Sequence, residues 1–188
     1  MDKKEFNKVN PFYISKAMVL EIVIELIKRM KSLKESFTDP YDIRFSNKNL
    51  SEMMGRMMEK LSAEIFTKRL GYLVNSSKSD RDPDLFFTKL NRPLEIKVTS
   101  TDTAWTGGEF SQRPFDYLLV SWGGDFDEFF VCLVHLQKED WTSRMSKNYY
   151  GPSYNIKKLY ERKDKLIFLG KLIEKGKSIK LIREKISL

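Results

Sequence analysis

Two carboxylates and an ammonium, Asp84, Glu95 and Lys97, fall within the stretch "RDPDLFFTKLNRPLEIKVTS" at positions 81–100. Leu94, Ile96 and Val98 alternate with Glu95 and Lys97, so a strand of period two turns the apolar three toward a core and the charged two to one shared face. Positions 84–88 form a second apolar run, and Asn91 and Pro93 between the runs are turn formers, which predicts an antiparallel hairpin. With Thr88 paired to Pro93, Asp84 lies opposite Lys97 and Glu95 sits diagonal to both, roughly 7–8 Å away. Carboxylates that close repel, and each pKa rises unless they share a cation. Hard oxygen ligands on a rigid strand suit Mg²⁺, which keeps several waters and takes one or two carboxylates. The chemistry open to such a group is phosphodiester hydrolysis. The cation polarises a phosphoryl oxygen, acidifies a water and neutralises the leaving oxygen, while Lys97 orients the water or stabilises the pentavalent phosphate. The bland counterpart is a solvated edge hairpin with an ordinary Asp–Lys cross-strand pair.

The surrounding elements must hold these groups. Val19, Ile22, Val23, Leu26, Ile27 and Met30 recur at helical spacing behind Ser15, a candidate N-cap, and predict a helix over 15–33. Positions 35–49 mix turn formers with Arg44 and Lys48 and read as a long loop or arm. Ser51 can cap a second helix with Met54, Met57, Leu61 and Ile65 on one face, stopped by Gly71 in a left-handed conformation. Its Met-rich face is most simply core, and Glu59 and Glu64 at the margin are most simply solvated. A short strand at 72–74 and the polar loop "NSSKSDRDP" lead to the hairpin. "FDYLLVSW" (115–122) and "EFFVCLVHL" (128–136) are nearly continuous apolar runs, as expected of strands covered on both faces. "KEDWTSRMSKN" reads as a short helix and "YYGPSYN" as turns; the Lys-, Ile- and Leu-rich tail is open between helix and strand. These elements predict one α/β domain, a central mixed β-sheet flanked by helices.

Composition bounds the partners. The 188 residues carry 34 Lys and Arg against 26 Asp and Glu, a net charge of +8 that favours polyanions, whose counterions a cationic surface releases. The lone cysteine, Cys132 in an apolar run, leaves no disulfide frame or zinc cluster within one chain. His135, the one histidine, reads as a satisfied core residue rather than a base. No apolar stretch approaches the roughly 18–20 residues that span a bilayer, and the polar start is unlike a signal peptide, so a cytoplasmic location without membrane contact is expected.

The order helix, strand, polar loop, Pro83-Asp84 and then Glu95-Ile96-Lys97 resembles the PD-(D/E)XK nuclease superfamily. There the helix before the hairpin often carries Gly-x-x-x-Glu and ends in Gly-aromatic, matched here by Gly55 to Glu59 and by Gly71-Tyr72. The resemblance covers about residues 51–122. It implies a restriction-endonuclease-like core, with Asp84, Glu95 and the Ile96 carbonyl as Mg²⁺ ligands, Lys97 as the catalytic lysine and Glu59 as an auxiliary acid. The domain then divides into an N-terminal helix and arm (1–50), a catalytic core (51–136) and a C-terminal extension (137–188).

Within the superfamily, "EIKVTSTDTAWTGGEFSQRPFDYLLVSW" looks like type II restriction endonucleases, with a Thr/Ser pair after the lysine, a loop bearing Trp and Gly-Gly, and an Arg entering the next strand. Thr99 and Ser100 offer hydroxyls to phosphates, and Gly107-Gly108 allows close backbone approach. Trp105 stacks on nucleic acid or folds back on the sheet, and Arg113 contacts phosphate or caps a sheet edge. Ser76, Ser77 and Lys78 are further DNA-binding candidates; the 35–49 arm, the 75–82 and 101–113 loops and "NYYGPSYN" are candidate base readers. The resemblance implies sequence-specific, Mg²⁺-dependent cleavage of double-stranded DNA to 5′-phosphate ends by a two-fold homodimer, with a cognate methyltransferase protecting host DNA. The same motif order also resembles Holliday-junction resolvases of archaeal type, though the N-terminal helix, the arm and the long tail here exceed them. From another class, a non-catalytic DNA-binding module fits the basic charge but has no need of Mg²⁺.

Overall fold

The structure, a computed structural model, describes residues 9–79, 81–146 and 149–188, with the side chains of 143–146 and 149–150 left aside. The charged start of the chain, Asp80, Lys147 and Asn148 therefore lie outside the described residues. Helix α1 (Lys16–Leu33) is capped by Ser15, whose Oγ accepts from the Met18 N–H at 3.2 Å, and its buried residues are the six apolar ones of the expected stripe. A π-helical turn at Lys34–Thr38 shortens the arm.

Helix α2 (Asn47–Leu70) begins earlier than its sequence signal. Ser46 is the cap, accepting from the Asn49 N–H, while Ser51 lies inside the helix and accepts from Trp122 Nε1 at 2.9 Å. Gly71 ends the helix at φ 72°, the conformation that glycine adopts without steric cost. Met54, Met58, Leu61, Ile65 and Phe66 are buried, so the apolar face turns through Met58 rather than Met57.

The central sheet holds β1 (Val74–Ser76), β2 (Leu85–Phe87), β3 (Arg92–Thr99), β5 (Phe115–Gly123), β6 (Glu128–Leu136) and β12 (Glu184–Lys185) in that order, with β9 (Lys165–Leu169) also pairing β6. β3 and β5 run parallel and the other pairs among the described residues are antiparallel, so the sheet is mixed. Helices α1 and α2 cover one face, burying Leu94, Ile96, Leu118, Val120 and Trp122. A second sheet covers the other, ordered β4 (Ala104–Thr106), β8 (Tyr149–Asn155) and β7 (Thr142–Ser146). Between the sheets Trp105, Tyr117, Leu119 and Tyr154 form a second core. Covered on both faces, β5 is buried from Phe115 to Trp122, as its apolar run requires.

Where the expected helix over "KEDWTSRMSKN" should lie, a 3₁₀ turn (Lys138–Asp140) leads into β7, and "YYGPSYN" is the middle strand of the small sheet. Pairing on both sides outweighs its turn-prone composition. The tail folds as α3 (Ile156–Glu161), β9, a hairpin of β10 (Lys171–Lys175) and β11 (Ser178–Ile182), and β12. Among the described residues no helix is long and apolar enough to cross a membrane.

The hairpin itself departs from expectation in register. Leu85 pairs with Leu94, Phe86 with Pro93 and Phe87 with Arg92, because Thr88–Leu90 form a 3₁₀ turn closed by left-handed Asn91 (φ 49°). Extending that register sets Asp84 level with Glu95, not Lys97. A slip of two residues leaves every side chain on its expected face.

Candidate active site

A cleft of about 240 Å³ lies where Arg56 and Glu59 of α2, Asp84, and Glu95, Ile96 and Lys97 of β3 meet, with Ser77, Ser79 and Asp82 of the preceding loop at its rim. The strand ladder opens it. β2 pairs with β3 only as far as Leu94, so beyond that point the outer edge of β3 has no strand beside it among the described residues. Asp84 occupies this edge: its Oδ2 accepts from the Ile96 N–H at 2.7 Å, and its own N–H reaches Glu95 Oε2 at 3.4 Å. A strand residue's N–H and C=O leave the chain on the same side, so the Ile96 carbonyl shares the open edge.

Lys97 Nζ meets Glu95 Oε1 at 2.6 Å, two residues apart on one face of the strand. The ammonium also faces Gly108, where an added Cβ would stand 3.9 Å from it. Glu59 is buried on α2, with Arg56 Nη1 3.7 Å from its Oε2, and so is not the solvated helix charge of the simplest expectation; Glu64 is exposed. Burial, with the Asp84 charge adding to it, pushes the Glu59 carboxyl up to about 7. Burial also raises Asp84, partly offset by the Ile96 N–H and Lys97. It raises Glu95 too, against the pull of Lys97 and with a further push from Asp84.

Three carboxylates thus share one small polar cleft at a desolvation cost that bound protons or a cation relieve. Among the described residues no three His, Cys, Asp or Glu side chains form a ready metal cage. The donors present, the Asp84 and Glu95 carboxylates and the Ile96 carbonyl, are all oxygen. They fit Mg²⁺, which takes few protein ligands and keeps its waters.

Tyr117 belongs to this neighbourhood and sequence reading passed over it. It lies level with Glu95 on β5, fully buried, with a hydroxyl that has no hydrogen-bond partner among the described residues. Burial, then the Glu95 charge, pushes its phenol well above the usual range. In "FDYLLVSW" nothing local separates it from its apolar neighbours; only the β3–β5 register does. Arg56, between Gly55 and Glu59, carries no local signal either.

The other candidates lie at differing removes. Ser76 Oγ accepts from Lys60 Nζ at 2.9 Å, the Ser77 N–H donates to the Asp84 carbonyl at 3.0 Å, and Lys78 is exposed. Thr99 Oγ1 lies 3.1 Å from Thr101 Oγ1, and the Ser100 carbonyl accepts from Arg183 at 3.1 Å. Trp105 does not stack on nucleic acid in this conformation: it is buried between the sheets, with Nε1 donating to the Val120 carbonyl at 2.8 Å. Arg113 is exposed, its guanidinium 5.1 Å from the Phe110 ring centre and 5.6 Å from that of Phe115. His135 is satisfied but only half-buried, its Nδ1 2.9 Å from Asp116 Oδ1. Cys132 is fully buried.

Comparison of the chain with protein-family models, with curated proteins and with solved structures finds no match.

Proposed function

We propose that this protein is a Mg²⁺-dependent endonuclease of the PD-(D/E)XK kind, and within that class a type II restriction endonuclease that cuts double-stranded DNA at a specific site. The observation that carries it is the meeting of Asp84, Glu95 and Lys97 at the unpaired edge of β3, in a cleft open to solvent. A solvated edge hairpin has no cause to bury Glu95 to 4% exposure beside a second desolvated carboxylate.

Asp84, Glu95 and the Ile96 carbonyl would hold the ion, which supplies polarisation of a phosphoryl oxygen and a more acidic water. Lys97, fixed by Glu95, donates to that water or to a non-bridging phosphate oxygen as charge builds there. Glu59, with its proton affinity near neutrality, can hold a proton at the cleft wall. The water oxygen bonds to phosphorus, giving up a proton to solvent, as the bond to the 3′ oxygen breaks and that oxygen takes a proton from solvent, leaving a 5′-phosphate and a 3′-hydroxyl. A symmetric target calls for a two-fold homodimer, and a restriction role for a cognate methyltransferase.

The test is digestion of unmethylated plasmid and phage DNA by purified protein, with Mg²⁺ or EDTA, beside Lys97→Ala. Discrete fragments that require both Mg²⁺ and Lys97 are expected. Duplexes left intact under every condition would refute restriction; cleavage of a four-way junction alone would make the enzyme a resolvase, and binding without any cleavage a DNA-binding module.

A further inference from the structure

Strands β10 and β11 form a two-stranded ribbon separate from both larger sheets. Its register pairs Lys171 with Ile182, Leu172 with Leu181, Ile173 with Lys180, Glu174 with Ile179 and Lys175 with Ser178. Alternation therefore sorts the side chains by face. Leu172, Ile179 and Leu181 turn inward onto the second core. Lys171, Lys175 and Lys180 turn outward, with Lys177 at the tip beside left-handed Gly176; all four are exposed. Glu174, the one carboxylate of the ribbon, belongs to the opposite face. Elsewhere the surface mixes its charges: Lys28 and Arg29 accompany Glu25, Lys48 accompanies Glu52, and Lys16 meets Glu184. Here three ammonium groups share one outward face with Ile173 and Ile182, and a fourth stands at the tip.

The base of the ribbon is tied to the candidate active site. Arg183, directly after β11, donates to Ser121 Oγ from Nε and Nη2 at 3.0 and 2.9 Å and to the Ser100 carbonyl at 3.1 Å, and it pairs with Asp102. The fit is close: a Cβ on Gly123 would stand 2.7 Å from Arg183 Nη1. Ser100 follows Lys97 by three residues, roughly 10 Å of strand. The ribbon therefore springs from the segment that leaves the catalytic strand.

We propose that this ribbon is a docking element for duplex nucleic acid, its lysine face set against the phosphate backbone. Five paired residues span about 17 Å. Over such a length a duplex presents about one negative charge per 1.7 Å of axis, and a two-stranded ribbon fits its major groove. The choice of duplex as partner rests on the nuclease reading of the cleft. Contacts of this kind position the protein and carry no sequence information.

The experiment is fluorescence anisotropy of a labelled random-sequence duplex titrated with full-length protein in EDTA over a range of salt concentrations. Wild type is compared with Lys171→Ser/Lys175→Ser/Lys177→Ser/Lys180→Ser and with Lys177→Glu, a tip change outside the strand pairing. The quadruple variant is expected to bind more weakly, with the slope of log K against log salt shallower by about 3–4, as the loss of four phosphate contacts requires. Lys177→Glu is expected to shift binding in the same direction. Unchanged slopes in both variants would overturn the proposal, as would wild type that binds no duplex, or variants that lose binding only to phosphatidylserine vesicles. Ribbon and cleft fail separately: wild type that binds with the steep slope but never cuts keeps the ribbon and removes the nuclease, whereas a quadruple variant that binds normally beside a cutting wild type does the reverse.

Discussion

The Ile96 N–H donates to Asp84 Oδ2 across 2.7 Å, so a side chain takes the place that a neighbouring strand would fill. The bond fixes the carboxylate at the cleft and satisfies the backbone of an open sheet edge at once. Asp84→Asn keeps an oxygen acceptor there while removing the charge. It is expected to melt at or above the wild-type temperature, since a desolvated charge is lost, yet to cleave DNA about 10²–10³-fold more slowly, the scale of losing one group that stabilises transition-state charge. Single-turnover cleavage beside a thermal melt checks both halves.

Glu59 sets a pH signature on the ion-free protein. In the folded state its pKa is pushed up to about 7, against an ordinary value of 4.5, so between these limits the native protein holds a proton that the unfolded chain releases. Stability from this group is present below the ordinary value and lost as pH rises through the folded one. Asp84 and Glu95 are displaced upward as well, which adds to the same trend. Thermal melts in EDTA are expected to fall from pH 5 to pH 8, less steeply in Glu59→Gln, and Mg²⁺ should raise the melting temperature more at pH 8 than at pH 5.

Trp105 is a structural residue in this conformation. Trp105→Ala removes a buried indole and leaves the Val120 carbonyl without its 2.8 Å donor, for an expected loss of about 3–5 kcal/mol. Gly107→Ala should act nearby, because its Cβ would stand 2.8 Å from the Trp141 ring; overpacking of this kind costs about 1–3 kcal/mol. Urea melts measure both, and neither variant that remains folded should alter the salt dependence of DNA binding.

Tyr117 carries a buried hydroxyl beside Glu95 that has no partner among the described residues. An unsatisfied buried hydroxyl costs about 1–3 kcal/mol, so Tyr117→Phe is expected to raise stability. A urea melt of this one-atom change reads the sign directly. A fall would show that the hydroxyl has a bonding partner in solution.

Much of the local structure was legible from residue type. The stripe of α1 emerged residue for residue, since helical spacing and an N-cap depend on neighbours within a few positions. So did the glycine stop of α2 and the apolar course of β5 and β6. Ser46 displaced Ser51 as the cap, a choice between two adequate residues that the contact of Ser51 with Trp122 accompanies. The "YYGPSYN" segment became a strand because β7, just before it in sequence, and β4, more than forty residues away, both pair with it.

The identity of the charged trio, and the shared face of Glu95 and Lys97, followed from sequence alone, because a strand alternates whatever its partner. Tertiary structure decided what those charges meet. The Asn91 turn set Asp84 level with Glu95 instead of Lys97, the packing of α2 brought buried Glu59 and Arg56 to the same cleft, and the parallel β3–β5 register put Tyr117 beside them. Spacing along a chain dictates periodicity, but distance across a sheet is set by which segments pair and in which register, and those are properties of the closed fold.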